Sequence, residues 1–478
     1  MVQNLVARLA VTSVLRQAFY GFTGALFWTT ALALPLTACA TISTAQANKK
    51  DPVSAHFNHT PTSRYQDPYR QIERAGEDLE AILLSAINSA QKSIDLAVQE
   101  IQLPLVAQAL ARKHLAGVQV RIVLENEYSQ PLSTLTADQV AKLDDHQRSR
   151  YESFKKFVDT DGDGTLSPSE TAARDSLIIL KSAGVAIIDD TFDGSKGSGL
   201  MHHKFLVIDG STTVVTSANF TLSDIHGDWG VPQSLGNPNA LLRFDSVEVS
   251  RIFGREFSEL WSRKFGLKKS LRGRQGVSLP GNDGSTPVTI QFSPTSKTKP
   301  WDQSVNGLIA ETAARARVSA DLALFVFSEQ QIADALQTAQ TQGARVRALI
   351  EPDFAYRNYS ELLDLLGLSL RDEKCRHEKG NFPWTQPITD AGTARLPDGD
   401  RLHHKFAVLD DSRVLFGSHN WSAAANNTND ETFMIIEDSA IARAFAAEFD
   451  RLIQNARLGA PAWLIEKIGE RDRECLTP

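Results

Sequence analysis

Cysteine is scarce in this 478-residue chain: Cys39, Cys375 and Cys475 are all there is. A basic excess is missing too. Fifty Lys and Arg against 57 Asp and Glu leave a net charge of -7 and a pI near 5.9. That balance gives no broad cationic footprint for nucleic acid, although a local basic groove stays open. The remaining composition, 42% hydrophobic and 22% charged, is that of an ordinary globular protein. The length exceeds one hydrophobic core and calls for about two domains.

Charge is nearly absent from residues 1–38, where only Arg8 and Arg16 occur and an apolar stretch from Phe19 ends in "ALALPLTACA". This pattern reads as an export signal, with Pro35 and the small residues favouring cleavage over a retained span. Leu36-Thr37-Ala38-Cys39 resembles the bacterial lipobox, which implies a lipid on Cys39 at the mature N-terminus. A competing cut would follow Ala47, leaving a soluble secreted chain. The expected setting is therefore outside the cytoplasm, anchored to a membrane and facing the periplasm or cell exterior. With Cys39 lipidated, Cys375 and Cys475 are either a disulfide in an oxidising compartment or two unrelated thiols.

Residues 39–72 are polar and read as a tether. Beyond them the chain repeats itself. Residues 93–125, "SIDLAVQEIQLPLVAQALARKHLAGVQVRIVLE", align without a gap to residues 319–351, "SADLALFVFSEQQIADALQTAQTQGARVRALIE". Each copy reads strand, amphipathic helix, glycine stop, β-branched strand. "RIFGREFSEL" and "RAFAAEFDRL" supply a matching closing helix, with Phe253, Glu256, Phe257 and Leu260 meeting Phe445, Glu448, Phe449 and Leu452. Alternating strands and helices predict an α/β layer structure in each half. The expected divisions are residues 73–266 for the first half, 267–300 for a linker and 301–478 for the second half.

Residues 134–182 have no counterpart in the second half, and they contain "DTDGDGTLSPSE". The register is that of an EF-hand loop. Asp159, Asp161 and Asp163 take places 1, 3 and 5, and Gly164 makes the turn at 6. The Thr165 carbonyl falls at 7, Ser167 at 9, and Glu170 closes at 12. The bland alternative is an acidic turn. The expectation is one Ca2+ ion, structural rather than catalytic.

Two stretches carry the chemistry. Residues 200–220 read "LMHHKFLVIDGSTTVVTSANF" and residues 401–421 read "RLHHKFAVLDDSRVLFGSHNW". An antiparallel hairpin would set His202 opposite Asn219 and Lys204 opposite Ser217, with His403 opposite Asn420 and Lys405 opposite Ser418. Period-two alternation then gathers all four polar groups of each hairpin on one face, while His203 and His404 point away as structural residues. Ammonium, amide and hydroxyl are donors for phosphate oxygens. Imidazole serves as nucleophile, acid or base.

The spacing His-x-Lys-(x)4-Asp-(x)6-Gly-Ser-x-Asn resembles the signature of the phospholipase D superfamily. His403, Lys405, Asp410, Gly417, Ser418 and Asn420 carry it fully; His202, Lys204, Asp209, Ser217 and Asn219 carry it with Thr216 in place of glycine. The resemblance implies two pseudo-symmetric α/β/α sandwich halves sharing one active site. It also implies a phosphodiesterase that needs no cofactor or metal for catalysis and passes through a phosphohistidine. In that family an acidic residue beyond Ser-x-Asn bonds the motif histidine; Glu431 stands there in the second half, and the repeat puts Asn239 at the matching position of the first. If each reaches its own half's ring, Glu431 keeps His403 protonated as the acid and His202 attacks as the neutral ring.

The expected substrate is a phospholipid at a membrane surface, handled by a monomer since both motifs lie in one chain, with no nucleic acid as partner. A nuclease of the same superfamily is one alternative. A calcium-dependent module that only grips phosphate or a membrane surface is another. Phe382 and Trp384 in "NFPWTQP" are either a membrane contact or part of a core.

Overall fold

The segments aligned by the repeat fold the same way twice. In the computed structural model, residues 52–270, 273–281 and 284–476 are described. The expected signal and Cys39 lie outside them. Among the described residues the first sheet holds β1 (Val53–Phe57), β2 (Ser93–Val98), β3 (Gln119–Leu124), β4 (Ala186–Asp189), β5 (Lys204–Ile208), β6 (Thr212–Thr216) and β7 (Ala240–Asp245). Their spatial order is β1-β7-β6-β5-β2-β3-β4.

The second sheet holds β8 (Gln275–Gly281), β9 (Gly284–Ser293), β10 (Ser319–Leu324), β11 (Arg345–Ile350), β12 (Ala391–Thr393), β13 (Lys405–Leu409), β14 (Arg413–Gly417), β15 (Glu431–Glu437) and β16 (Arg457–Leu458). Its order is β8-β9-β15-β14-β13-β10-β11-β12-β16. The stretch from β7 to β4 therefore matches the stretch from β15 to β12, strand for strand. Even the ion pairs repeat: Arg121 forks onto Asp95 as Arg347 forks onto Asp321.

The closing helices sit between the two sheets. α6 (Val247–Trp261) is capped by Ser246 and buries Val249, Ile252, Phe253, Phe257 and Leu260, a helical stripe. α9 (Ser439–Ile453) is capped by Asp438 and buries Phe445, Phe449 and Leu452 in the same way. These stripes join the inner faces of both sheets, Phe205 and Val215 with Phe406 and Phe416, in one shared core. Outside the first sheet lie α1 (Leu79–Ser89), α2 (Pro104–Leu115) and α5 (Ser176–Ser182). Outside the second lie α7 (Val305–Ala313) and α8 (Gln330–Thr341). The result is five layers, with the two halves built as one body.

Both segments read as connectors turn out to carry strands. β1, inside the expected tether of residues 39–72, pairs with β7 in the first sheet. Phe57 at its end packs edge-on against Phe445 of α9, tying the two halves. β8 and β9, inside the expected linker of residues 267–300, extend the second sheet through β15. The physical reason is the same in both cases: without these additions β7 and β15 would be long edge strands with unpaired backbone groups. α5, at the end of the expected insertion, belongs to the framework, because it packs on α2 and leads into the parallel strand β4.

The motif hairpins differ from expectation by one residue. Phe205 pairs with Val215 and Ile208 with Thr212, and in the second half Phe406 pairs with Phe416 and Leu409 with Arg413. The connection is a three-residue loop, because Asp209 and Asp410 sit in the turn with φ of 52° in both copies. The Asp209 carboxylate accepts from the N–H groups of Gln91, Lys92 and Ser93, and Asp410 does the same with Arg317, Val318 and Ser319.

Cys375 and Cys475 form a disulfide that staples the long connection between β11 and β12 to the C-terminal helix α10 (Ala462–Leu476). Trp384 of that connection is 2% exposed in the outer core of the second half, whereas Phe382 is 54% exposed. Trp384 is thus part of a core, and Phe382 is not.

Candidate active site

Topology puts the chemistry at one end of each sheet. β5 enters antiparallel to β2 with Lys204 opposite Val98, and β13 enters antiparallel to β10 with Lys405 opposite Leu324. The carboxy ends of the parallel strands and the start of each motif strand therefore coincide. One buried carboxylate in each half fixes the entry: Glu125 accepts from the N–H of Met201, and Glu351 from that of Leu402. Each holds the residue just before a motif histidine. Burial raises both, Glu125 to about 7 with help from Asp190.

Each histidine is anchored by the opposite half. His202 Nδ1 lies 2.7 Å from Glu431 Oε2, and both side chains are buried. His403 Nδ1 lies 3.2 Å from Asn239 Oδ1 and 3.5 Å from Asp224 Oδ1. The expectation that Glu431 serves His403 and Asn239 serves His202 is thus corrected: the partners cross between halves. The reason is the shared core, which turns the two hairpins toward each other so that the strand after each motif reaches the other ring.

These contacts fix the tautomers. Glu431 is an acceptor, held down at about 2 despite its burial by His202, so His202 Nδ1 carries the proton. The Asn239 amide donates to the carbonyls of Asp224 and Asn237, which turns its oxygen toward His403 Nδ1. Both rings therefore present Nε2 as a lone pair, and neither Nε2 has a protein partner among the described residues. Burial pushes His202 down to about 4, against the pull of Glu431, and pushes His403 well below the usual imidazole range with Lys405 and Lys204 adding to it. Both shifts favour the neutral ring.

The lysines converge on the same space. Lys204 Nζ donates to Gln99 Oε1 and to the His202 carbonyl, and Lys405 Nζ donates to the His403 carbonyl while lying 4.8 Å from the centre of the Phe325 ring. Burial lowers Lys204 to about 8; burial and then Lys204 itself lower Lys405 to about 7. Two buried ammonium groups that repel each other form a site for an anion. Asn219 and Asn420 each keep a buried Oδ1 with no partner among the described residues.

The serines do a different job from the one expected. Ser217 Oγ donates to Asn239 Oδ1 and Ser418 Oγ donates to Glu431 Oε2, each at 2.7 Å. In this arrangement their one proton goes to the groups that hold the histidines, so they position Asn239 and Glu431. Asp209 and Asp410 stand at the other end of the motif strands, about 15 Å from the motif lysines by the rise of a five-residue strand. They close the far turn of each hairpin on backbone N–H groups.

Sequence reasoning passed over Asp224, Gln99 and Phe325. Asp224 accepts from the N–H of Asn219 and from Asn237 Nδ2, and burial raises its carboxyl. It has no repeat counterpart, since the repeat places Ala425 there. Gln99 and Phe325 occupy one aligned position, so their difference was visible but their place beside the lysines was not.

The acidic insertion packs on the outer core of the first half through Phe154, Phe157 and Val158. α3 (Asp145–Val158) ends at Asp159 and α4 (Pro168–Arg174) starts after Ser167, as an EF-hand's flanking helices do. Asp159, Asp161 and Glu170 bring carboxylate oxygens within 4.8 Å of one another. Gly162 and Gly164 take the positive φ of 75° and 83° that the tight loop needs. The carboxylates accept only from the loop's own N–H and hydroxyl groups. That is a donor set a hard cation fits. Asp163, Thr165 and Ser167 lie on the same loop outside this tight group.

The comparisons with known proteins follow the same outline. A family model described as "Cardiolipin synthase, PLD-like domain" matches residues 83–261 and 309–453, one segment in each half. Mitochondrial cardiolipin hydrolase from Mus musculus is 29% identical over 180 residues, 37% of this chain and 67% of the relative. The Homo sapiens protein of that name is 30% identical over 155 residues, 32% of this chain and 52% of the relative. Phospholipase D from Rickettsia felis is 28% identical over 137 residues, 29% of this chain and 58% of the relative. The chain spans about half to two thirds of the length of these curated relatives. Among solved structures, phosphatidylserine synthase from Haemophilus influenzae is 12% identical with a TM-score of 0.48, covering 83% of this chain and 91% of that one. The phospholipase D family member Nuc from Salmonella typhimurium is 18% identical with a TM-score of 0.29, covering 37% of this chain and 99% of that one.

Proposed function

The chain belongs to the PLD-like domain family, whose model spans both halves, and on that premise we propose that it is a phosphodiesterase hydrolysing phospholipid headgroups. The observation that carries this is the pair of imidazoles, each anchored through Nδ1 with Nε2 left open, beside two buried lysines. The lipid reading is supported by the relatives, named cardiolipin hydrolase and phospholipase D, and by the absence of a basic excess.

His202 Nε2 attacks phosphorus. The bond to the leaving oxygen breaks, and that oxygen takes a proton from His403 Nε2. Lys204, Lys405, Asn219 and Asn420 hold the phosphoryl oxygens. Attack makes the His202 ring cationic, and Glu431 stabilises that charge directly. The bound diester's negative charge offsets the two lysines and lets His403 hold the proton it donates. In the second half-reaction His403 takes a proton from water, hydroxide attacks phosphorus, and the bond to His202 breaks. The crossing of partners removes the earlier reason for choosing His202 as nucleophile and supplies this one.

Three further readings complete the proposal. The insertion binds one Ca2+ as a structural clip, on the support of its loop register and carboxylate cluster. The chain is exported and held at a membrane through Cys39, on the support of its N-terminal sequence. Among the described residues no helix is long and apolar enough to cross a membrane. The chain acts as a monomer, since both motifs needed for one site lie within it.

Diester cleavage on phospholipid vesicles and on single-stranded DNA, measured side by side, tests the substrate class. Vesicle cleavage with a phosphatidyl-alcohol product when a primary alcohol is present is the expected result. Cleavage of DNA alone establishes the nuclease reading, and phosphate binding without cleavage of either establishes the binding module.

A further inference from the structure

Directly behind the His202–Glu431 pair lies a second, largely buried cluster that the reaction scheme does not use. His203 donates or accepts at Thr432 Oγ1, 2.8 Å away, and reaches Glu256 Oε1 at 3.2 Å. Asp430 is completely buried and accepts from the Gly266 N–H. Into this group comes one ammonium, that of Lys269 from the segment between the halves. It contacts Glu256, reaches Asp430 Oδ1 at 2.7 Å and donates to the Ser293 carbonyl at 2.9 Å. His203, Glu256 and Asp430 have the spacing of a metal-ligand trio, but the ammonium already sits among them.

The internal repeat shows what is unusual here. Glu448, the counterpart of Glu256, takes its cation from Arg451 on its own helix and binds His404. The position matching Arg451 in the first half is Glu259, so the local cation is gone. Lys269 replaces it from outside the repeat and, unlike Arg451, also binds a carboxylate of the other half. Asp430 has no acidic counterpart either, because the repeat puts Pro238 there.

What this ammonium holds is the seam that pairs His202 with Glu431. The Asp430 carbonyl accepts from the His202 N–H at 3.0 Å, and the Asp430 N–H donates to the Leu200 carbonyl at 2.8 Å. Met201 and Asp430 form a parallel bridge across the halves. Each catalytic residue is thus the chain neighbour of a residue in the ionic cluster: His202 of His203, Glu431 of Asp430. Burial alone would lower the Lys269 ammonium, but Asp430 and Glu256 outweigh it and raise it, while Lys269 and His203 hold the buried Glu256 at about 2.

We propose that Lys269 is a positioning residue of the reaction: its ammonium, bridging Glu256 and Asp430, sets the register in which Glu431 meets His202 Nδ1. This rests on the proposed use of that pair in phosphodiester cleavage. A cavity of about 270 Å³ reaches Lys269 past Leu267, Phe292, Ser293 and Lys299, which gives small amines a route to the cluster.

The test uses the full chain and a soluble short-chain phosphodiester. Lys269→Met is expected to lower kcat about 100-fold, the usual effect of a misplaced reacting group, with KM within about twofold of wild type. Histidine 15N resonances should show the His202 Nδ1 hydrogen bond weakened and the ring titrating at lower pH than in wild type, because the Glu431 carboxylate that raises it is displaced. Methylammonium should restore Lys269→Ala at least tenfold, through the cavity, whereas tetramethylammonium should not. Lys269→Arg, which keeps the charge, should leave the His202 titration in place and serves if the methionine variant does not fold. A folded Lys269→Met with kcat within threefold of wild type overturns the proposal, as does a slow variant whose His202 titration is unmoved. If wild type cleaves no diester, the functional reading fails by itself, and the His202 titration still decides the role of Lys269.

Discussion

Replacing Glu431 by glutamine removes one charge and almost no volume from the centre of the site. The carbonyl oxygen of the amide can still accept from both His202 Nδ1 and Ser418 Oγ, the two donors that now share Glu431 Oε2. The tautomer can therefore survive, and what is lost is the attraction between a carboxylate and the cationic ring formed by attack. Both side chains are buried, at 8% and 0% exposure, so salt does not screen the pair. At about 4 Å and an effective dielectric constant of about 20 the attraction is about 4 kcal/mol. That corresponds to about a thousandfold in the rate of phosphoenzyme formation. Rapid-quench measurement with a labelled substrate bearing a good leaving group reads this step directly. Ser418→Ala, which keeps the charge and loses one hydrogen bond, should cost only about tenfold. Phosphoenzyme formation within tenfold of wild type in Glu431→Gln refutes the reasoning. Normal formation with slow breakdown would make His403 the nucleophile.

Four other outcomes are expected. Since burial lowers Lys405 to about 7 and Lys204 to about 8 and the proposed reaction uses both as ammonium groups, kcat/KM should fall as pH rises through that range; a profile flat to pH 10 would contradict this. Chelation, or Asp159→Ala, should lower Tm while leaving substantial turnover at low temperature, and complete inactivity of a folded chelated sample would make calcium catalytic. Trp384→Ala should cost about 3–5 kcal/mol of stability and reduce activity equally on vesicles and soluble substrate, because the ring is in the core; a selective loss on vesicles would return it to the surface. Glu361 is buried with an unpartnered Oε1, and burial followed by Asp364, Glu378, Glu329 and Asp334 raises it to about 10. A raised carboxyl binds its proton more tightly in the folded state, so stability declines from about pH 4.5 upward toward 10. Glu361→Gln should gain on the order of 3 kcal/mol at pH 8, read as a higher Tm whose pH slope is flatter; no gain at pH 8 would contradict the assignment.

Much of the architecture was readable because it is written in short range. Gap-free alignment of residues 93–125 with 319–351 gave the strand–helix–strand units, and the twin motifs gave the histidines and lysines. The acidic loop of residues 159–170 likewise sits within twelve consecutive residues, between two helices. The errors share one origin. Hairpin register shifted by one because Asp209 and Asp410 bind backbone that precedes β2 and β10, a long-range contact. That same contact explains why the two aspartates belong to folding and not to catalysis. Nothing local shows that the protons of Ser217 and Ser418 go to Asn239 and Glu431. β1, β8 and β9 were lost in polar segments whose strand character comes from the edges they cover.

The crossing of partners was the hardest feature to foresee, and it changes what the duplication means. Each half supplies a ring to one side of the site and the anchor for the ring on the other side. Neither half therefore holds a complete catalytic unit, although each carries a complete motif. Divergence in one half acts on the histidine of the other: Asn239 in the first half gives His403 an amide oxygen at 3.2 Å, with the Asp224 carboxyl farther off at 3.5 Å, and Glu431 in the second gives His202 a carboxylate at 2.7 Å. The lysines diverge within their own halves, Lys204 against the polar Gln99 and Lys405 against the aromatic Phe325. Attack needs a ring whose positive charge is stabilised as it forms. Protonation of a leaving group needs a ring that gives its proton up readily. An imidazole bound to a carboxylate suits the first task and one bound to an amide suits the second. Two near-identical hairpins thereby take different steps of one reaction, with the difference written in the strand that follows the opposite motif.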